Sequence, residues 1–191
     1  MDDDGEYNWK YRCSSYIINW VKVDISFFKK ADFLEYTQHF YDSVANYKKH
    51  VSRIKHKVID AKPIYDPFSI LAEAVSKVDT YPPAFKKELI KELLNEIKHH
   101  IDYISFSGLK NRYESQYVAR DIITPACMAI YALNDSFFML WFKRLHHDLP
   151  KFSWDFITLI DSLLESAYNY NPDTMVLIWE KIYSLIDNYK K

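Results

Sequence analysis

The chain has 191 residues: 49% are hydrophobic, 17% aromatic and 27% charged, with 25 Lys and Arg against 26 Asp and Glu. The aromatic content excludes disorder over most of the length, and the balanced charge argues against wholesale electrostatic capture of nucleic acid or anionic membrane. Only two glycines are present, Gly5 and Gly108, too few for the positive-φ positions of many hairpins, a Rossmann loop or a P-loop.

Residues 1–6 read as a mobile acidic lead. Such a start lacks the positive n-region of a secretory signal, and no apolar run reaches the length of a membrane span. Two cysteines, Cys13 and Cys127, do not make a disulfide framework. Buried free thiols in a reducing compartment, cytoplasmic or nuclear, are expected.

From residue 7 to 23, Trp9, Cys13, Tyr16, Ile17, Trp20 and Val21 recur at helical spacing, which predicts a first helix. A long helix is predicted over 31–59, its stripe including Phe33, Phe40, Val44, Tyr47, Val51, Ile54 and Val58. Asp66-Pro67 marks the next start, a carboxylate cap before proline, with Phe68, Ile70 and Leu71 on the inner face. Thr80-Tyr81-Pro82-Pro83 opens a helix carrying Phe85, Leu89, Leu93 and Ile97, and Gly108 falls where a C-cap belongs. No window shows convincing β alternation; the best strand candidate is 101–107. Asn111 caps a further helix, and Pro125 inside its apolar pattern predicts a kink or break near Thr124. Asn134-Asp135 is a stop signal. Residues 137–145 are apolar almost all round and should be the most buried. Ser153 and Asn171-Pro172 start the last two helices. The expected fold is all-α: a single-domain multi-helix bundle, or a short helical-repeat stack, of about eight helices over residues 7–191. Stretches 61–66 and 80–83 are the candidate seams.

The sharpest chemical constellation is Leu145-His146-His147-Asp148-Leu149-Pro150, with a fainter echo in Glu114-Ser115-Gln116-Tyr117-Val118-Ala119. The His-Asp pair after an apolar helix resembles the metal-dependent phosphohydrolases of the HD superfamily. That resemblance implies a divalent metal held by His147 and Asp148, with a histidine upstream and an aspartate downstream. The upstream position reads Ser115 or Gln116, neither a usual transition-metal ligand. Glu96 and His99 match the Glu-x-x-His spacing of di-iron bundles, but the second motif such a site needs is missing. Cys127 has no paired base and reads as structural.

Residues 47–57 carry Lys48, Lys49, Arg53, Lys55 and Lys57 with His50 and His56 and no acid. They form either a solvated lysine face or a surface for phosphate or an acidic partner. Trp9, Tyr168 and Tyr170 are the aromatics hardest to place in a core, and tyrosine and tryptophan are enriched at interfaces. The expected function is a non-catalytic adaptor that presents an aromatic-rich inter-helix surface to a protein partner or to a second copy. Nucleic-acid or ribonucleoprotein association through 47–57 is the first alternative, and an HD-like phosphohydrolase the second. No catalytic residue, metal, cofactor or membrane partner is expected.

Overall fold

Where apolar spacing predicts a first helix, the chain instead folds back as a hairpin. In the computed structural model, which describes residues 11–138 and 145–188, β1 (Tyr11–Ile18) pairs antiparallel with β2 (Val21–Phe28). The physical reason is the run Val21-Lys22-Val23-Asp24-Ile25-Ser26-Phe27. It alternates apolar and polar without a break, the period of a strand. β-branched residues at 17, 18, 21, 23 and 25 add extended preference. The turn is Asn19-Trp20, with φ of 49° and 65°, as a type I′ turn requires. Asparagine tolerates this conformation, whereas the Cβ of tryptophan makes it cost about 1–2 kcal/mol. No glycine marks the turn, so glycine content was the wrong guide here.

The helix expected over 31–59 is broken in two. α1 (Lys30–Gln38) stops, and α2 (Val44–Ile54) starts afresh. Ser43 Oγ accepts the Asn46 N–H at 3.1 Å, and Asn46 Nδ2 donates to the His39 carbonyl at 2.8 Å. One side-chain pair thus caps the new helix and holds the end of the old one. α2 continues into a π-helical turn, Lys55–Ile59. α3 (Ile70–Val78) begins later than Pro67. Its N-cap is Ser69, not Asp66, but the Asp66 carboxylate accepts the N–H groups of Ile70 and Leu71 at 2.8 and 2.9 Å. Phe68, placed inward by its spacing, is exposed.

Phe40, Tyr47, Val51, Ile54 and Val58 from this region are buried, as are Ala74 and Val78 of α3, which packs on α1 and the π-helical turn. Tyr41 donates its hydroxyl to the Val78 carbonyl at 2.8 Å, tying the end of α3 to the α1–α2 junction. Burial raises the Tyr36 and Tyr41 hydroxyls well above the ordinary tyrosine range. Residues 1–80 make one compact unit and residues 81–191 a second, the division falling between Thr80 and Tyr81.

In the second unit α4 (Pro83–Ser107) and α5 (Arg112–Leu133) run antiparallel. At one end Tyr81 donates to the Ser136 carbonyl at 2.9 Å and Lys86 reaches Asp135 at 2.8 Å. At the other end Gly108, with φ of 64°, ends α4. Asn111 then accepts the Glu114 N–H at 3.0 Å and starts α5. Residues 101–107 are the last turns of α4, not a strand, because the stripe of Leu93, Ile97 and Ile104 stays in helical phase and buried. Of the kink or break expected near Thr124, the break does not occur: α5 runs continuously through Pro125. Its residues from Ile122 to Ala132 are almost all buried, so packing offsets the lost backbone bond.

After the short α6 (Leu145–Asp148) and a 3-10 turn, α7 (Trp154–Tyr168) and α8 (Pro172–Asn188) complete the unit. Ser153 Oγ accepts the Phe156 N–H at 3.1 Å, and Asn171 Oδ1 accepts the Thr174 N–H at 3.2 Å. α7 packs on α5 and α8, and α8 packs on α4. Leu89, Leu93, Ile122, Ile130, Phe156 and Trp179 lie wholly buried among them. Phe137 and Phe138 are buried as expected, while residues 139–144 lie outside the described residues. Among the described residues there are eight α-helices and one two-stranded sheet, a mostly helical chain. None of these helices is long and apolar enough to cross a membrane.

Candidate functional site

α2 carries the basic stretch because its other face is core. Tyr47, His50, Val51 and Ile54 are buried, with the His50 ring edge-on to Tyr36 at 4.9 Å. Lys49 and Arg53, four residues apart, share the outer side and are exposed. Lys48 and Lys55 fall roughly 120° around the helix from that side. Lys55 is paired with Asp60, and Lys57 lies in the π-helical turn, where the α-helical spacing no longer holds. Lys49 and Arg53 therefore lie on the outer side of α2, and Lys48 and Lys55 on its flank.

His147 Nδ1 lies 2.6 Å from Asp148 Oδ1, and Lys151 Nζ lies 3.1 Å from the same oxygen. An ammonium thus shares the carboxylate that the phosphohydrolase resemblance assigns to a metal. Ser115, at the upstream position of that motif, is fully buried. Its hydroxyl donates to the Ala167 carbonyl at 3.2 Å and contacts the Met175 sulfur at 3.0 Å. It joins α5 to α7 and α8, so this position works as packing. Among the described residues no three His, Cys, Asp or Glu side chains are grouped as metal ligands. Glu96 and His99 lie on α4, His99 in solvent. Cys127 is a buried free thiol whose pKa burial pushes well above the usual range.

Of the candidate interface aromatics, Trp9 lies outside the described residues. Tyr168 and Tyr170 come together in a junction. The Arg112 guanidinium sits 3.6 Å from the Tyr168 ring centroid, and the Tyr170 hydroxyl donates to the Leu109 carbonyl. Glu114 completes it, accepting the Lys110 N–H at 2.6 Å and the Tyr103 hydroxyl at 3.1 Å. The Lys110 bond, with the Tyr103 bond after it, holds the Glu114 carboxyl below the ordinary glutamate range.

This junction fixes the backbone on which a set of unpredicted aromatics stands. Phe106, Tyr113 and Tyr117 are 90%, 83% and 64% exposed, all at the same end of the α4–α5 pair. Tyr113 and Tyr117 are four residues apart and lie opposite the Ser115–Val118–Ile122 stripe of α5. That phase mismatch is the signal by which they could have been found. No protein-family model, curated protein or solved structure matches this chain.

Proposed function

We propose that the protein is an intracellular, non-catalytic protein–protein interaction module, and that its partner-binding surface is the aromatic end of the α4–α5 pair. The observation that carries this reading is the exposure of Phe106, Tyr113 and Tyr117 on a backbone held by the Glu114, Arg112 and Tyr170 contacts. Large aromatic rings on a pre-ordered surface bury much area at little entropic cost when a partner arrives. The buried free thiol of Cys127 suits a reducing compartment.

The test places a photo-crosslinking amino acid at position 106 of the full chain in its native host. A protein adduct that disappears with Tyr113→Ser and Tyr117→Ser supports the reading. Adducts with nucleic acid alone, or protein adducts indifferent to both substitutions, overturn it. A second reading, association with nucleic acid, draws on the exposed pair Lys49 and Arg53. Charge reversal at both should then weaken binding and lower its salt dependence.

A further inference from the structure

Both faces of the hairpin are exposed near its tip, Ile17 at 78% among them, and one face is the more apolar. In its register the pairs Arg12–Phe27, Ser14–Ile25, Tyr16–Val23 and Ile18–Val21 alternate with Tyr11–Phe28, Cys13–Ser26, Ser15–Asp24 and Ile17–Lys22. Cross-strand partners share a face, and successive pairs alternate between faces. The first set has one charged residue, at position 12, and five apolar or aromatic positions besides Tyr16. The second set includes both Lys22 and Asp24. At the tip of the apolar face Tyr16, Ile18 and Val21 are 48%, 55% and 61% exposed, and Trp20 in the turn is 98% exposed. The principal packing partner of each strand is the other strand. A two-stranded hairpin by itself is marginal in water, and a sheet is stable when another layer covers its apolar face.

We infer that a second copy of this chain is that layer: two hairpins pack face to face in a two-fold dimer, about 10 Å apart. Two observations select this occupant. The first is area. With aromatic side chains at ~150–250 Å² each, the exposed surface of Tyr16, Trp20, Ile18 and Val21 is on the order of 500 Å² per copy, so a pair that buried all of it would reach the ~1,000 Å² floor of a specific interface. The second is charge. A two-fold interface sets the same patch against itself, and a face with a single charged position in eight brings no row of like charges together. The surface lies in residues 11–28 and is independent of the aromatic end of α4–α5.

Sedimentation equilibrium of the full chain across the micromolar range tests it. The expected result is a monomer–dimer equilibrium. Trp20→Gly creates Asn-Gly, the best type I′ turn, so the hairpin persists while its apolar tip is lost. It should raise the dimer dissociation constant roughly tenfold or more. Ile18→Thr, on the apolar face, should also weaken the dimer. Ile17→Thr, the same change on the other face, should leave it unchanged. A wild-type chain that stays monomeric throughout overturns the inference. So does a dimer indifferent to Trp20→Gly and Ile18→Thr, or one that Ile17→Thr weakens equally. A dimer that fails these tests leaves the crosslinking result at position 106 untouched, so the two proposals fail separately.

Discussion

The hairpin of residues 11–28 and the α4–α5–α7–α8 body of the second unit treat tryptophan in opposite ways. Trp179 on α8 is wholly buried, its indole N–H enclosed without a hydrogen-bond partner. Trp20 stands at a hairpin tip in a left-handed backbone conformation, almost fully exposed. In the helical body four elements share one core, and even the unsatisfied N–H is outweighed by the area the ring buries. In the hairpin each strand packs chiefly on the other, and Tyr16, Ile17, Ile18 and Val21 near the tip stay exposed. The contrast teaches that extended preference and burial are separable. The first is a local property of β-branched, alternating sequence, and the second needs a facing layer.

The largest expected effect sharpens this comparison directly. Trp179→Ala should cost the second unit about 3–5 kcal/mol in chemical denaturation, the usual result of emptying an aromatic core site. Trp20→Ala should change the stability of the monomer by no more than ~0.5 kcal/mol, as exposed substitutions do. If both tryptophans cost the same, the distinction between the regions is wrong. Next in size, Asn111→Ala removes the cap of α5 and should cost about 1 kcal/mol by the same measurement. Arg112→Ala removes the cation from the Tyr168 ring and should cost roughly 0.5–1 kcal/mol. A cost above that range would mean that the junction also supports the core.

The smallest effect is a pH dependence. The folded-state pKa of Glu114 is depressed, so its contribution is present above the ordinary glutamate value of about 4.3 and is lost as pH falls through the lower folded value. Thermal melts of Glu114→Gln should lack this acid-side loss and should match the wild type more closely at low pH than at neutral pH. An acid limb of unchanged shape in the variant would assign the loss to other carboxylates.

Much of the helical body was legible because its signals are local. Asn111, Ser153 and Asn171 cap the helices they were expected to cap, since a short polar side chain before an apolar stripe can satisfy its own neighbouring N–H groups. Gly108 ends α4 because only it adopts that conformation without a Cβ penalty. The misreadings have local causes too. Tyr16, Ile17, Trp20 and Val21 fit a helical period as well as they fit a strand–turn–strand, and the strict alternation after residue 21 should have decided between them. The break at His39–Ser43 escaped because Asn46 makes it by reaching back seven residues. The exposed aromatics were less legible. Tyr168 and Tyr170 stood out as loop residues, but their partners Arg112 and Leu109 lie some 60 positions away in the chain.

By itself the sequence determined the class of the protein, the starts of most helices and the absence of a glycine-rich phosphate loop. These follow from side-chain size, capping chemistry and apolar period, which act within a few residues. Only the tertiary structure decided which aromatics are core and which face solvent. It showed that Ser115 bridges α5 to α7 and α8, and that Asp148 is shared with an ammonium. Those outcomes depend on which elements meet, and the short-range forces that hold such contacts leave no mark at fixed spacing along the chain.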